Sequence, residues 1–405
     1  MSRRSAAVLG AGIMGSSTAL HLARLGLRVT IFEREREPFR GASRWNEGRI
    51  HLGFVYANDP SLATARALLP GGLDFARQVS ALTGTAVDGA VTEEDDVSLV
   101  HRRSVTDPET TAAYYERVAE LVRAHPDAGS YLSDVSGSRV ERLTRRELGS
   151  LADAAAVVAG FRIPERSVDT NRVADAFVGA LASAPRVERA YGQTVTAVRK
   201  ARAGRWHVHA GGDVHGPFDA VVNALWDGRP RIDRGLGHRP DRDEQHRYRV
   251  SVFARTAVDG PGTSAIVVVG PFGDVKRYSD RYFCASWYPV GLLARREAPE
   301  PPPVPDLDRS ATERIAGDVF RELGAIIPAA LAIRDAATEL RVEGGWVYSQ
   351  GRGALDDPRA SVHRRDRLGV SRRGSYFSVD TGKYSVAPTL AEGLAHDVEA
   401  GAGRA

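Results

Sequence analysis

Residues 5–33 read SAAVLGAGIMGSSTALHLARLGLRVTIFE and carry the strongest structural signal in the chain. A short apolar strand leads into a glycine-rich turn, an amphipathic helix follows, and a second apolar strand ends at Glu33. Gly10, Gly12 and Gly15 have the G-x-G-x-x-G spacing, which in this strand–turn–helix context indicates a dinucleotide-binding unit. The pattern therefore predicts a Rossmann-like domain at the start of the chain.

Each residue of this motif has a physical role. Gly10 permits the tight turn, Gly12 lets the backbone approach a pyrophosphate, and Gly15 lets the helix pack closely on the strand. The helix start offers free N–H groups and a positive dipole end to the phosphates. The Glu33 carboxylate can accept hydrogen bonds from a ribose and would repel a 2′-phosphate. The motif occurs once, which favours a single, tightly held cofactor.

Composition limits the class of protein. The 405 residues are 42% hydrophobic, enough for two domains that each bury an apolar core. No apolar segment is long enough to span a membrane, and no signal-peptide pattern is found. A net charge of +4 with interleaved acidic residues gives no basic stripe for nucleic acid. The single cysteine, Cys284, excludes an internal disulfide and fits a reducing compartment, so we expect a cytoplasmic protein without a metal site.

Four separated segments resemble one known family. They are VLGAGIMGSSTALHLARLGLRVTIFERE (8–35), GASRWNEGRIHLGFVY (41–56), TVTAV with FDAVVNALW (194–198 and 218–226), and GSYFSVDTGKYSVAPTLAEGLAHDV (374–398). Their order resembles the D-amino acid oxidase family of FAD-dependent oxidoreductases, which includes glycine and sarcosine oxidases, glycerol-3-phosphate dehydrogenase and L-2-hydroxyglutarate dehydrogenase. The resemblance implies an α/β plus α+β fold, with a Rossmann-like FAD-binding domain and an inserted antiparallel-sheet substrate domain.

The resemblance and the sequence pattern together predict the domain boundaries. The FAD-binding domain is expected to be discontinuous, comprising residues 1–60, 151–235 and 340–405. The substrate domain is expected to comprise residues 61–150, where apolar residues have helical spacing, and 236–339, which contains alternating strand-like segments. Helices would then cover an antiparallel sheet, and the open face of that sheet would form the roof of the flavin site.

The resemblance also implies which residues bind FAD. The loop GASRWNEGRIH would follow the pyrophosphate and reach the flavin ring at its far end. Val195 would contact the adenine through its backbone. The LWDG segment departs from the small, glycine-rich sequence usual in the family and places Trp226 near the cofactor. The predicted cofactor-binding residues are Gly10, Gly12, Ile13, Met14, Gly15, Glu33, Arg34, Ser43, Arg44, Asn46, Gly48, Val195, Ala224, Trp226, Thr381, Gly382, Lys383 and Tyr384. Cys284 does not match the cysteine that tethers FAD in some members, so we expect non-covalent FAD, with His51 as a possible attachment point.

The resemblance implies a catalytic and substrate-binding set as well. Arg49 and His51 are expected to point towards the flavin ring, and Lys383 to stabilise the anionic reduced flavin. Arg352, in WVYSQGRG, is a candidate anchor for a substrate carboxylate because a planar guanidinium can bind one in bidentate fashion. The predicted catalytic residues are Arg49, His51, Lys383 and Arg352, and the predicted substrate-binding residues are Tyr288, Trp346, Tyr348 and Arg352. The HRR and SRR runs at 363–365 and 371–373 are predicted to be solvated loops.

Three functions remain open from the sequence. The first is oxidation of a C–N bond in a small amine or amino-acid-like substrate, with hydride transfer to flavin N5 and reoxidation by oxygen or another acceptor. The second is dehydrogenation of a hydroxy acid or sugar-like alcohol, which needs a placed base, with His51 as the main candidate. The third is a non-catalytic flavoprotein. The sequence does not determine the oligomeric state.

Overall fold

The computed structural model describes residues 4–239 and 243–401. The strands in these ranges are β1 (Ser5–Leu9), β2 (Arg28–Glu33), β3 (Arg49–Ile50), β4 (Val97–His101), β5 (Glu141–Arg142), β6 (Val157–Arg162), β7 (Arg166–Ser167), β8 (Val187–Tyr191), β9 (Val195–Lys200), β10 (Trp206–Ala210), β11 (Asp213–Phe218), β12 (Ala220–Asn223), β13 (Glu244–Thr256), β14 (Ala265–Val268), β15 (Gly273–Ser279), β16 (Tyr282–Trp287), β17 (Leu292–Arg296), β18 (Ala337–Gln350), β19 (Gly369–Arg373) and β20 (Tyr376–Asp380). The helices are α1 (Ile13–Arg24), α2 (Ala63–Thr83), α3 (Pro108–Ala124), α4 (Arg145–Leu151), α5 (Thr170–Ser183), α6 (Arg229–Gly235), α7 (Tyr288–Gly291), α8 (Arg309–Gly324), α9 (Ala329–Asp335) and α10 (Ala387–Gly401).

The first sheet is the predicted Rossmann-like one. Its strand order is β19-β20-β12-β1-β2-β8, and all pairs except the antiparallel edge pair β19–β20 are parallel. The central strands β1 and β12 are buried along their whole length, as expected for a parallel sheet covered on both faces. Helices α1, α2, α5 and α10 pack together on this unit. A Cβ at Gly15 would lie 1.8 Å from the Gly10 carbonyl oxygen, so this glycine permits the close approach of α1 to the turn.

The second sheet has nine strands in the order β17-β13-β16-β15-β14-β4-β6-β5, with β18 also pairing with β13. Its pairs are antiparallel except for β14–β4. Helices α8 and α9 cover one face, where Val319, Phe320 and Leu323 are fully buried against apolar strand residues. A helix-covered antiparallel sheet is present as predicted, but its covering helices lie at residues 309–335 and not in the helical segments predicted at 61–150. No helix in the described ranges is both long and apolar enough to cross a bilayer.

One predicted domain boundary cuts an observed element, and two other elements pack with the domain to which they were not assigned. Residue 340 falls inside β18, which pairs along its length with β13 of the nine-stranded sheet. Residues 157–162, assigned from sequence to the FAD-binding domain, form β6 of the same sheet. Helix α2 was assigned to the substrate domain but packs against α5 and α10 of the Rossmann-like unit. We therefore propose that the substrate domain extends to about residue 162 and includes β18, and that α2 belongs with the FAD-binding domain.

Candidate active site

The glycine turn forms an open cradle at the carboxyl end of β1. Gly10 has φ +96°, and a Cβ there would lie 2.8 Å from the Ala224 carbonyl oxygen. A Cβ at Gly12 would lie 2.8 Å from Ser43 Oγ, which accepts a hydrogen bond of 3.0 Å from the Ile13 backbone N–H. The cradle at the start of α1 is therefore open only because residues 10 and 12 have no side chains.

The end of β2 completes the nucleotide side of the cradle. Glu33 is held by backbone N–H donors, from Ala11 to Oε2 at 2.9 Å and from Glu35 to Oε1 at 3.1 Å. Both contacts place the carboxylate beside the glycine turn, as the motif predicts. Val195 lies on the same wall, and its carbonyl oxygen accepts a hydrogen bond of 2.7 Å from Arg231.

A cavity of about 480 Å³ runs from this cradle to the turn before α10. Nineteen of the residues predicted from sequence line it. They are Gly10, Gly12, Ile13, Met14, Glu33, Arg34, Ser43, Asn46, Arg49, His51, Val195, Ala224, Trp226, Tyr288, Trp346, Thr381, Gly382, Lys383 and Tyr384. The cavity thus brings together both ends of the chain and the nine-stranded sheet. The individual roles assigned to these residues stay predictions.

Arg352, the predicted carboxylate anchor, lies outside the cavity. Its side chain is 67% exposed and lies 3.4 Å from Asp243, away from the cavity. Tyr348 is also outside the cavity, because its ring is buried behind Trp226 and its hydroxyl donates to Glu244 Oε1 at 2.9 Å. Neither side chain is available to a substrate in this structure.

Three predicted cofactor residues act in packing instead of lining the cavity. Gly15 carries the contact with the glycine turn described above. Gly48 has φ +66°, and a Cβ there would lie 1.9 Å from the Val168 carbonyl oxygen. The Arg44 guanidinium, predicted to contact phosphate, donates to Asn171 at 3.2 Å and Asp175 at 2.7 Å.

Arg49 lines the cavity and also belongs to a buried ion cluster. Its Nη1 lies 2.6 Å from Asp96 Oδ2 and 3.2 Å from Glu165 Oε2, and Lys276 Nζ lies 2.5 Å from the same Asp96 oxygen. Burial alone would lower the pKa of Arg49, but Asp96 and Glu165 raise it, so the guanidinium stays charged. Its Nη2 has no hydrogen-bond partner among the described residues and lies 4.0 Å from Asp274.

Besides Arg40 and Arg231, three further arginines that the sequence did not indicate line the cavity. Arg247 and Arg249 come from β13, and Arg365 follows β18 in the run predicted to be a solvated loop. The prediction is wrong for Arg365, whereas residues 371–373 are exposed but form strand β19. None of the three arginines has a carboxylate within 4 Å in the described ranges. The sequence did contain a signal for Arg247 and Arg249. They are two residues apart on a predicted strand, so their side chains lie on the same face of the sheet.

Glu47 is a cavity carboxylate close to these cations. Glu47 lines the cavity, and although burial opposes ionisation, Arg249 and Lys383 hold the pKa of Glu47 below its ordinary value. Lys383 lies 5.7 Å from the centre of the Tyr56 ring, a cation–π distance. Burial, followed by the charge of Arg365, lowers the pKa of Lys383 to about 7. Lys383 is therefore the cavity cation that can gain or lose its proton near neutral pH.

His51 lies in the same cavity as a neutral base. It is 4% exposed, its Nδ1 has no hydrogen-bond partner among the described residues, and its ring lies 5.7 Å from that of Tyr56. Burial, followed by the charges of Lys383 and Arg49, holds the pKa of His51 well below its ordinary value. The imidazole is therefore unprotonated at neutral pH and able to accept a proton.

A family model described as DAO, FAD dependent oxidoreductase, matches residues 5–338. The chain belongs to this family. The resemblance predicted from the four sequence segments is confirmed, and the protein is an FAD-dependent oxidoreductase. The non-catalytic interpretation is therefore not retained.

Solved structures with the same fold include several oxidases. Glycine oxidase from Geobacillus kaustophilus has 18% identity and a TM-score of 0.69, covering 98% of this chain and 95% of that one. Iminodiacetate oxidase from Chelativorans sp. BNC1 has 17% identity and a TM-score of 0.66, covering 98% and 95%. L-alpha-glycerophosphate oxidase from Mycoplasma pneumoniae, with FAD bound, has 13% identity and a TM-score of 0.61, covering 100% and 96%. At these identities the similarity shows the fold alone. No curated protein matches the sequence.

The residues present fit the cofactor of the DAO family. The cradle at Gly10 and Gly12 would be filled by any Cβ, and Glu33 stands beside it with a carboxylate suited to a ribose. At the other end, the turn 381–383 leads into α10, and Gly382 has φ +64°. No group of three or more metal-ligating side chains occurs among the described residues.

The ion cluster predicts a stability effect for Arg49. Arg49→Met removes the cation that faces Asp96 and Glu165, and leaves buried carboxylates with less compensating charge. We expect the free energy of unfolding to fall by about 3–5 kcal/mol, in addition to any loss of turnover. The control is Arg281→Met, because Arg281 and its partner Asp259 are both more than 60% exposed, and the expected change is below about 1 kcal/mol. Equal stability losses in urea unfolding of the two variants would contradict the assigned role of the cluster.

The pKa of Lys383 predicts a pH effect on anion binding. As pH rises through about 7, Lys383 loses its proton and the cavity loses one positive charge, so acetate should bind the FAD-loaded enzyme more weakly. We expect the dissociation constant, measured by perturbation of flavin absorbance at constant ionic strength, to rise about tenfold between pH 6 and 8. Lys383→Arg should remove this dependence because arginine stays charged. The same slope in both proteins would rule out Lys383 as the titrating group.

Proposed function

We propose that this enzyme oxidises the C–N bond of a small, amino-acid-like amine whose carboxylate is bound by Arg365, with Lys383 beside it. The supporting observation is that both cations line the cavity and that neither has a carboxylate within 4 Å among the described residues. Arg365 is fixed by its own hydrogen bond, from Nη1 to the Tyr348 carbonyl oxygen at 3.3 Å. A guanidinium held in this way can receive a carboxylate in bidentate fashion.

The charge of the cavity favours the reactive form of an amine. Arg247, Arg365 and Lys383 would repel an ammonium group and so lower the pKa of a bound substrate amine. The neutral amine has the lone pair that assists loss of hydride from the adjacent carbon, and it needs no general base. Glu47 offers an acceptor for its N–H groups on an otherwise cationic wall.

The protein supplies position and exclusion of water. Bound FAD would supply the redox chemistry by accepting a hydride at N5. Trp226 and Trp346 close part of the cavity wall, and the Trp226 Nε1 donates to the Trp346 carbonyl oxygen at 2.7 Å. Arg365 would hold the carboxylate end of the substrate, and the imine product would hydrolyse after release.

Oxidation of a hydroxy acid is the second candidate, and His51 is the observation that favours it. An alcohol must lose its hydroxyl proton, and a neutral, buried imidazole on the cavity wall is a suitable base. The carboxylate of a hydroxy acid would use the same cations as that of an amino acid. The two candidates therefore differ in their need for His51.

We further propose that FAD is bound without a covalent link and that the enzyme works in the cytoplasm. Cys284 is fully buried in β16 and does not line the cavity, so its thiol is not placed to tether the flavin. A single cysteine also fits a reducing compartment. Oxygen or another small acceptor would reoxidise the flavin.

Product analysis tests the proposed function. The FAD-loaded enzyme is incubated with matched amine and alcohol pairs, alanine with lactate and aspartate with malate, and carbonyl product and ammonia are both measured. We expect carbonyl and ammonia in equal amounts from an amine, and His51→Asn should retain most of this activity. Carbonyl product from hydroxy acids alone, lost in His51→Asn, would replace the amine proposal with the alcohol one.

A further inference from the structure

We propose that the substrate carries a second anionic group, and that Arg247 binds this group on the wall formed by the nine-stranded sheet. The inference rests on the proposed function, because it names the class of amine: one with two separated anionic ends, the second being a carboxylate or a phosphoryl group. No sequence motif pointed to Arg247.

Arg247 is a buried cation without a counter-charge. It is 4% exposed and lines the cavity, and its Nη1 donates to the Tyr288 hydroxyl at 3.0 Å. Its Nε has no hydrogen-bond partner, and no carboxylate lies within 4 Å, among the described residues. Burial, with the nearby charge of Arg365, lowers its pKa to about 10, so it is still charged at neutral pH. A buried charge in this state is costly unless an anion joins it.

The charge balance around the cavity fits two anions. The count takes the Arg49 cluster together with Arg247, Arg249, Arg365, Lys383 and Glu47, and leaves out the lining residues Arg34, Arg40, Arg231, Glu33, Glu35 and Asp227. Its cations are Arg49, Arg247, Arg249, Lys276, Arg365 and Lys383, and its carboxylates are Asp96, Glu165, Asp274 and Glu47. With Lys383 protonated, six cations and four carboxylates leave two positive charges. The carboxylate of a simple amino acid would neutralise one of them. A second anionic group would neutralise the other, and Arg247 is the cation with the least compensation.

The two anchors belong to different elements of the fold. Arg247 is part of β13, in the nine-stranded sheet, whereas Lys383 follows β20 in the Rossmann-like unit and Arg365 precedes β19. Arg249, two residues along β13, lies over the Tyr288 ring at 4.8 Å and adds to the positive charge on the Arg247 side. Arg365 is near enough to Arg247 to lower its pKa, so the two guanidiniums suit a short substrate with an anionic group at each end.

Binding of non-oxidisable ligands to the FAD-loaded enzyme tests this inference. Glutarate is compared with glutaramate, and succinate with succinamate, because each pair has the same shape and differs by one charge. The readout is the perturbation of flavin absorbance. We expect the dianion of at least one pair to bind about ten- to a hundredfold more tightly than its amide. The phosphonate analogue of glutarate, 4-phosphonobutyrate, distinguishes a carboxylate from a phosphoryl group as the second anion. Tighter binding than glutarate indicates a phosphoryl group, and weaker binding indicates a carboxylate. Equal affinities for dianion and amide in both pairs would overturn the inference.

The variant Arg247→Met tests whether Arg247 is responsible for the tighter binding of the dianion. The variant should bind dianion and amide within about twofold of each other, with little change for the amide. Its melting temperature should be unchanged or raised, because an uncompensated buried charge has been removed, whereas a structural arginine would lower it. Arg255→Met is the control, since Arg255 lies on the same strand but is 60% exposed and outside the cavity. Retained discrimination in Arg247→Met would refute the assignment. The ligands contain no amine and need no turnover, so the result is independent of whether amine oxidation is correct.

Discussion

Arg365→Met is expected to lower kcat/KM for the amine substrate by about a hundredfold, because a charge-assisted contact with the substrate carboxylate contributes about 1.5–3 kcal/mol and the loss of a half-buried anchor also misplaces the reacting carbon. Arg365 lines the cavity and has no carboxylate partner within 4 Å among the described residues. KM should rise more than kcat falls, since the carboxylate is bound before and during reaction. Arg365→Lys should restore part of the activity because it keeps the charge.

Arg352→Met is the matched control for this prediction. Sequence reasoning placed the carboxylate anchor at Arg352, but its side chain is 67% exposed and outside the cavity. Its kcat/KM should stay within about twofold of the parent enzyme, as for other exposed positions. Normal kcat/KM in Arg365→Met together with a large loss of kcat/KM in Arg352→Met would show that Arg352 binds the carboxylate, as the sequence predicts.

Gly12→Val is expected to yield protein without FAD. A Cβ at this position already lies 2.8 Å from Ser43 Oγ, which accepts the hydrogen bond of Ile13. The larger valine side chain would displace Ser43 and fill the space through which the backbone approaches the pyrophosphate. We expect the absorbance ratio at 450 and 280 nm to show less than about a tenth of the parent flavin content, because crowding of this kind costs about 1–3 kcal/mol or more.

The glycine control is Gly393→Val. Gly393 is exposed on α10, and nothing lies within 4 Å of a Cβ built there. This variant should bind FAD at parent affinity and unfold at a similar or higher temperature, since glycine is unfavourable within a helix. Circular dichroism then shows whether Gly12→Val remains folded. Flavin content near the parent value in Gly12→Val would show that residue 12 does not contact the cofactor.

The parts of the fold that follow from local sequence were predictable. The glycine turn, α1 and the acidic end of β2 lie within one continuous stretch, where spacing alone specifies backbone geometry. The second sheet could be anticipated from the alternating segments that became β13, β14 and β16. Its boundaries were not predictable in the same way, because β4, β6 and β18 join it through pairings between residues distant in sequence.

The cofactor half of the site was more predictable than the substrate half for the same reason. Gly10, Gly12 and Lys383 lie in recognisable motifs, and all three line the cavity. Arg247 lies in a strand and Arg365 in a loop, and neither belongs to a recognisable motif. Their place in the cavity depends on the tertiary fold. Charged runs of the kind containing Arg365 are usually solvated, so local composition gave the wrong expectation there.

Anaerobic reduction of the bound flavin tests the central claim most directly. The FAD-loaded enzyme is mixed without oxygen with an amine that carries two carboxylates, such as aspartate, glutamate or an N-carboxymethyl amino acid, and with the hydroxy acid of matching skeleton. We expect loss of the flavin absorbance near 450 nm with at least one such amine and not with its hydroxy counterpart. Bleaching by the hydroxy acids but by none of the amines, or by neither class, would contradict it.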